Sequence, residues 1–233
     1  AGSTYHGRVD FAGSTYQYVT FSTSTISDRQ SIYQDVVNFS GSTYEDNAIF
    51  IGSTYAKDVT FSTSDYQKVV NFSESIYYGR ADFSGSTHQN ETYFKESIFY
   101  RETYFGKDGE INSFSRFTDY APQFYDGIHH KKTLFGSHNN DFTVDTNEGY
   151  PIVLNSEGLP IGCNFLTSEQ KEYLEGKLQE IEKINNKLRE VKDPKEKAEL
   201  SKNLQALDEN LYEWREEATT VKVEGTALGE EDN

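Results

Sequence analysis

The chain has very little sulfur and no long apolar run. Its 233 residues include one cysteine and no methionine, and the first 120 residues contain no leucine. A single cysteine cannot form an internal disulfide or a cysteine-rich zinc site, which excludes a disulfide-stapled fold. The apolar runs are too short for a helix that spans a bilayer. Residue 1 lies inside a repeat and no initiator methionine is present, so we expect further chain upstream.

The charge balance is acidic, and aromatic residues are abundant. The net charge is −16 and the sequence pI is about 4.7. Direct binding to nucleic acid is not expected, because phosphates need Lys and Arg. The chain has 16 Phe and 17 Tyr but a mean hydropathy of only −0.75. An ordinary core would balance aromatics with leucine, so these rings must follow a different rule of placement.

A strict repeat accounts for the aromatic residues. Large side chains recur in alternating steps of five and six residues, which gives a period of 11. The pattern extends back to Tyr5 with register slips at 16–21 and 26–33, places Ile26 in an early step, and has His88 in place of a Tyr. We interpret these large residues as a structural ladder, whose clearest members are Phe39, Tyr44, Phe50, Tyr55, Phe61, Tyr66, Phe72, Tyr77, Phe83, Phe94, Phe99 and Phe105.

A small or β-branched residue precedes each large one by two positions. Ser42 and Ser53 are examples before Tyr, and Val59 is an example before Phe. This spacing places both residues on one side of an extended strand, and turn-prone residues fill the gaps. We predict a chain that turns a corner about every five residues and stacks its coils about 4.8 Å apart. We expect the serine hydroxyls to bond neighbouring backbone or one another.

An antiparallel β-sandwich is the alternative fold, but it has no reason to keep an 11-residue period. The sequence instead resembles the pentapeptide-repeat family, in the variant where five- and six-residue steps alternate. The segments VNFSGSTYEDNAIFIGSTYAKDVTF and ADFSGSTHQNETYF carry this resemblance. It implies a right-handed quadrilateral β-helix over residues 1–110, with four faces per coil and just under five coils.

Residues 111–166 lose the period. We predict an irregular capping segment here, in which Phe114, Phe117, Phe124 and Phe135 cover the open end of the solenoid. Within this segment, residues 150–167 predict two short strands around a turn at 155–158.

Residues 167–218 predict an antiparallel helical hairpin. Thr167 and Gln170 suit a capping box, and Asp193-Pro194 marks a second helix start. In the first helix Asn185 falls at a seam position, where it either fixes register or is solvated. The second helix carries a coiled-coil seam that we interpret as a possible partner-binding surface, formed by Leu200, Leu204, Leu207, Leu211 and Trp214. Residues 219–233 predict an acidic disordered tail.

Few residues suggest chemistry. His129, His130 and His138 lie near Asp126 and Asp141, but adjacent histidines diverge and helical HxxxH spacing is missing, so we expect solvated loop histidines and no metal.

The remaining candidates are Cys163 and His88. We predict that Cys163 is a buried small residue, although a Cys–His nucleophile pair with a loop histidine stays open. We expect His88 to substitute for a core Tyr rather than to act as a base. No phosphate-binding loop or nucleophile-elbow motif is present in the sequence.

These features favour a non-catalytic protein-interaction scaffold. We expect a cytoplasmic protein without cofactor, whose partner is another protein or a second copy bound through the hairpin, and no direct contact with nucleic acid or membrane. One alternative is an acidic DNA mimic that binds a DNA-processing protein such as a type II topoisomerase, which the resemblance implies and the charge fits by sign. Lys57, Lys68, Arg80, Lys95 and Arg101 interrupt the acids. A second alternative is an accessory domain of an enzyme, with a site in residues 120–166.

Overall fold

The computed structural model describes residues 4–5, 7–21, 31–106 and 113–221. Within these ranges the chain forms two-residue strands followed by two long helices. The strands are β1 (Thr4–Tyr5), β2 (Val9–Asp10), β3 (Thr15–Tyr16), β4 (Val19–Thr20), β5 (Ile32–Tyr33), β6 (Val37–Asn38), β7 (Thr43–Tyr44), β8 (Ala48–Ile49), β9 (Thr54–Tyr55), β10 (Val59–Thr60), β11 (Asp65–Tyr66), β12 (Val70–Asn71), β13 (Ile76–Tyr77), β14 (Ala81–Asp82), β15 (Thr87–His88), β16 (Thr92–Tyr93), β17 (Ile98–Phe99), β18 (Thr103–Tyr104), β19 (Arg116–Phe117), β20 (Tyr125–Asp126), β21 (Lys131–Lys132), β22 (Leu134–Phe135) and β23 (Asn164–Phe165). The helices are α1 (Ser168–Glu190) and α2 (Pro194–Thr219). Ile26 and the predicted tail beyond 221 lie outside the described residues.

Four parallel sheets form the sides of a four-faced coil. Face 1 contains β1, β5, β9, β13, β17, β22 and β23; face 2 contains β2, β6, β10, β14 and β18; face 3 contains β3, β7, β11, β15 and β19; face 4 contains β4, β8, β12 and β16. Val59 pairs with Val37 in one direction and Ala81 in the other, each 22 residues away. One coil is therefore four steps of five, six, five and six residues. The predicted β-helix followed by a helical hairpin is confirmed.

The core is built from columns of stacked rings, one column per face. On face 1 the rings of Tyr33, Tyr55 and Tyr77 are stacked with nearly parallel planes, and successive centroids are 4.9 and 5.0 Å apart. Rings of adjacent columns meet edge to face, as Phe61 and Phe72 do at 4.8 Å and 68°. Every ladder residue from Phe39 to Phe105 is at most 1% exposed. Within residues 31–106 the four columns thus fill the core without any inward aliphatic side chain larger than valine.

Serine hydroxyls connect successive coils at two of the four corners. Ser75 Oγ donates to the carbonyl of Phe50 at 3.2 Å and accepts the backbone N–H of Ser53 at 3.1 Å, and both partners belong to the preceding coil. Ser64 makes the equivalent bonds to Phe39 and Ser42 at 3.2 and 3.3 Å. The hydroxyls therefore satisfy backbone groups at bends in the chain, where two-residue strands leave them unpaired.

The same corners require a left-handed backbone conformation. Gly41 has φ of 63° and Gly52 has φ of 67° at the second position after a core Phe. Thr63, Glu74 and Glu96 occupy the equivalent position with φ of 54°, 61° and 58°. A side chain with a Cβ is strained there, most of all a β-branched one.

The β-helix continues well past the predicted boundary at residue 110. Strand β19 pairs with β15 on face 3, and β22 pairs with β17 on face 1. Phe117, Phe124 and Phe135 extend three ring columns, stacking at 4.5, 5.0 and 5.1 Å on the coil below. Phe114, the fourth predicted capping residue, is 37% exposed. Residues 113–165 therefore add a full coil and part of the next, because they cross face 1 twice, as β22 and β23. Insertions at the corners interrupt the sequence period without interrupting the sheets.

The last part of this added segment contains the predicted turn at 155–158. Ile161 donates its backbone N–H to the carbonyl of Val153 at 3.0 Å, and Leu154 forms an antiparallel bridge with Pro160. The second arm then returns to face 1 as β23, which pairs in parallel with β22.

The two helices form an antiparallel hairpin. Thr167 and Gln170 make the predicted capping box at the start of α1. Asp193 caps α2 through its side chain, with Pro194 at the first helical position. Tyr173, near the start of α1, stacks on Trp214, near the end of α2, with ring centroids 4.6 Å apart. The helices therefore run in opposite directions.

We predict that relieving the strained corner at Thr63 stabilises the protein. Thr63→Gly should raise the free energy of unfolding by about 1 kcal/mol, because glycine adopts a positive φ without steric cost. Gly41→Ala at the equivalent corner should lower it by about 1 kcal/mol, since the new Cβ meets only Thr63 Oγ1 at 3.9 Å and the cost is purely conformational. Thermal unfolding of both variants checks this. Shifts of the same sign would contradict the strain argument.

Candidate functional site

Face 1 differs from the other faces in the side chains that it turns outward. Alternate strand residues point away from the core, and on face 1 these outward residues form an apolar stripe of Ile32, Thr54, Ile76, Ile98 and Leu134. Each is at most 3% exposed. The equivalent outward residues of face 2 include Asp10, Asn38 and Asp82. Reading the sequence at 22-residue intervals, instead of 11, would have separated this stripe from the polar faces.

The helical hairpin covers the apolar stripe. Leu174 and Ile181 of α1 pack in one cluster with the stripe, together with Leu204, Leu207 and Leu211 of α2. These three leucines belong to the seam that we interpreted as partner-binding, and they are at most 6% exposed. In this structure the chain itself covers them.

The other seam residues are only partly covered. Leu200 is half-buried, and so is Trp214 against Tyr173. Asn185 is buried, and its side-chain oxygen has no hydrogen-bond partner within the described part of the chain. Of the two interpretations of Asn185, the buried one therefore applies.

Polar contacts tie the hairpin to the solenoid along its length. Arg189, at the end of α1, lies 3.4 Å from the carboxylate of Asp35, and Lys57 pairs with Glu182. Tyr100 donates its hydroxyl to Glu175 at 2.9 Å. Helix α1 therefore runs back along the stack from the last coil towards the first, and α2 returns.

A buried arginine anchors the returning end of α2. The Arg215 side chain is 0% exposed, and it donates to the backbone carbonyl of Glu96 at 2.9 Å and to the Glu216 carboxylate at 2.8 Å. Its guanidinium also lies 3.6 Å from the carboxylate of Glu74. Lys131, from the added coil, contacts both Glu96 and Glu216. We call these five residues the charged clamp.

The charged clamp uses two of the strained corner positions. Glu74 and Glu96 stand where glycine is the relaxed choice, in two successive coils that face Arg215. Strained residues persist where the surrounding structure holds them in place. Burial raises the pKa of Glu96, against the opposing effect of Lys131. The solenoid therefore carries conformational strain at the point where the hairpin is anchored.

A second ionisable group is buried further along α2. Asp208 is 7% exposed and accepts a hydrogen bond from Thr54 Oγ1 at 2.8 Å, at the centre of the apolar stripe. Burial raises the pKa of Asp208 to about 7. Sequence reasoning missed this residue, because the heptad pattern records only the apolar members of the seam.

The candidate metal ligands do not converge. Among the described residues no group of three or more His, Cys, Asp and Glu is placed to hold a metal ion. His129 Nδ1 lies 2.6 Å from Asp126 Oδ2 on an exposed hairpin, and this hydrogen bond lowers the pKa of Asp126 to about 2. His130 faces Tyr125 at 3.4 Å, and the ring of His138 packs on Phe165.

Asp141 and Cys163 likewise have separate structural positions. Asp141 Oδ1 accepts the backbone N–H of Thr143 at 2.9 Å, and its own backbone bridges to Tyr104 on face 2. Cys163 is 3% exposed, and burial raises the pKa of its thiol far above the ordinary value. A thiol held in its neutral form is a poor nucleophile.

His88 belongs to the ring column of face 3. It stacks between Tyr66 and Phe117 at 4.8 and 4.5 Å, and its Nδ1 lies 3.1 Å from Thr92 Oγ1. Burial lowers its pKa to about 3. His88 is therefore a neutral member of the core.

No protein-family model, curated protein or solved structure matches this chain. Neither of the two described helices is both long and apolar enough to cross a membrane.

We predict that the charged clamp is required for the docking of α2. Arg215→Ala should destabilise the hairpin by about 3 kcal/mol, because it leaves Glu74 without its cation and Glu96 with Lys131 alone. Lys202→Ala, an exposed position on the same helix, should change stability by less than about 0.5 kcal/mol. Hydrogen exchange of residues 194–219 measures both variants. Equal exchange in the two variants would contradict the clamp.

We also predict that His88 makes the solenoid sensitive to acid. Its pKa is lower in the folded state than the ordinary value of 6.5. Its stabilising contribution is therefore complete above about pH 6.5 and falls by about 1.4 kcal/mol per pH unit towards pH 3. His88→Phe restores the ring type of the column and should flatten this dependence. Thermal unfolding between pH 3.5 and 7 tests this. A gap between variant and wild type that stays constant with pH would refute it.

Proposed function

We propose that the protein is a non-catalytic scaffold that binds a protein partner on face 4 of its β-helix, while the hairpin braces face 1. The observation that carries this is the difference between the open faces. Ile49 and Ile51 lie outward on face 4 of one coil and are half-exposed. Tyr93 lies outward on the same face two coils later, with Lys95 4.7 Å from its ring centroid.

Among the described residues the other open faces lack an outward isoleucine, although face 2 does turn out Tyr104, with the Arg80 guanidinium 4.6 Å from its ring centroid. Face 2 turns small polar side chains outward, such as Asn38 and Ser40, whose side chains bond each other at 2.7 Å. Face 3 turns out Thr43, Asp65 and Thr87. Outward aliphatic and tyrosine side chains with a polar surround are typical of protein-binding surfaces. A stack of coils filled with rings also loses little entropy on binding, because it is already ordered.

The charge distribution favours this function over DNA mimicry. A mimic needs acidic groups in line along the rod. At the corner between faces 1 and 2, acidic and basic residues are instead mixed, and the charged residues there are Arg8, Asp35, Lys57, Asp58, Arg80, Arg101 and Glu102. The resemblance to pentapeptide-repeat proteins stays compatible with a scaffold.

Affinity capture with matched surface variants tests the proposal. The wild-type chain is compared with Ile49→Asp/Ile51→Asp on face 4 and Asn38→Asp/Ser40→Asp on face 2, which add the same charge at equivalent positions of the same coil. An aspartate at 38 keeps the acceptor for the Ser40 backbone N–H, as Asp82 does for Ser84.

A partner retained by wild type and the face 2 variant, and lost by the face 4 variant, supports face 4. A partner that all three chains capture equally rules out this face. Circular dichroism and thermal unfolding confirm that all three chains are folded.

A further inference from the structure

The hairpin contains an unneutralised buried carboxyl group at its contact with the solenoid. Asp208 lies on the side of α2 that faces β9, between the buried leucines Leu204 and Leu211. One of its oxygens accepts the Thr54 hydroxyl at 2.8 Å. We propose that the hairpin is a pH-responsive strap on face 1, held firmly while Asp208 is protonated and released more readily once it ionises.

The surroundings of Asp208 are neutral or acidic. From the solenoid it meets the Thr54 hydroxyl and the phenol of Tyr78, whose buried hydroxyl has no hydrogen-bond partner within the described chain. Glu209, the next residue of α2, and Glu175 of α1, which raises the pKa of Tyr78 as Asp208 does, add only negative charge to these surroundings. No described cation pairs with Asp208. An ionised carboxylate in such a place carries the desolvation cost without a compensating charge.

The charged clamp lies in the same interface, but there the buried charge is paired with groups of opposite charge. Arg215, seven residues further along α2, is fully buried and is matched by Glu74, Glu96 and Glu216. Asp208 lacks such a match, so it is the member of the α2 interface that responds to pH near neutrality.

The direction of the effect follows from linkage. With the hairpin undocked, Asp208 is in water and has its ordinary pKa of 3.8, whereas docking raises the value to about 7. Between these values only the docked form retains the proton, so docking weakens as pH rises and becomes level above about 7. The docking equilibrium constant should fall roughly twentyfold between pH 5.5 and 7.5. Release exposes the apolar stripe of face 1, independently of what binds face 4.

Hydrogen exchange of the full chain measures this effect. Exchange of residues 168–219 is followed from pH 5.5 to 7.5 and corrected for intrinsic chemistry, with the β9–β14 peptides as an internal reference for global opening. Protection of the hairpin relative to this reference should fall roughly twentyfold. A hairpin whose relative protection does not change with pH overturns the proposal.

Three variants separate the switch from a general loss of structure. Asp208→Asn keeps the shape and the contact to Thr54 and should abolish the pH dependence. Thr54→Val removes the hydrogen bond that favours the carboxylate and should move the midpoint to higher pH. Glu213→Gln removes an exposed charge from the same helix and should behave as wild type. A wild-type slope in Asp208→Asn, or an unmoved midpoint in Thr54→Val, also overturns the proposal.

Discussion

Ring stacking between successive coils is the interaction on which the rest of the structure depends. A two-residue strand makes too few backbone bonds to be stable alone, and a single coil cannot bury its large residues. Parallel strands lie about 4.8 Å apart, which is also a favourable distance for offset aromatic rings. The Tyr33–Tyr55–Tyr77 column satisfies both spacings at once. This agreement explains why Phe and Tyr can replace the aliphatic residues of an ordinary core.

A regular solenoid presents similar outward surfaces on all sides, so its asymmetry must come from the outward residues. Among the described strands, face 1 is the one whose outward residues form a continuous apolar row, and the hairpin buries this row, which includes Ile76, Ile98 and Leu134. The anchoring of the hairpin then affects the solenoid itself. Glu74 and Glu96 stand at corners that favour glycine, and their contacts to Arg215 hold the strained backbone in place there. The non-glycine residues at these corners thus lower the local stability of the solenoid, while their contacts help to attach the helices.

The buried ionisable groups divide according to where they lie. His88 is inside the solenoid, where the neutral imidazole is favoured, so the solenoid loses stability as pH falls. Asp208 is between the solenoid and the hairpin, where the protonated carboxyl is favoured, so docking of the hairpin weakens as pH rises. The two groups therefore respond in opposite directions between about pH 4 and 6.5. The solenoid and its strap are not expected to share one pH of maximum stability.

The repeat made the β-helix, its stacked core and the serine links predictable, because inward residues recur at a spacing that only stacked coils satisfy. The helix caps at Thr167 and Asp193 were also predictable, because each depends only on residues close to it in the sequence. The extension to residue 165 was not visible, since insertions at corners break the period while the strands still pair. The covering of Leu204, Leu207 and Leu211 was not visible either. A stripe of leucines specifies that something apolar must cover it, and only the tertiary structure decided that the cover is face 1 of the same chain.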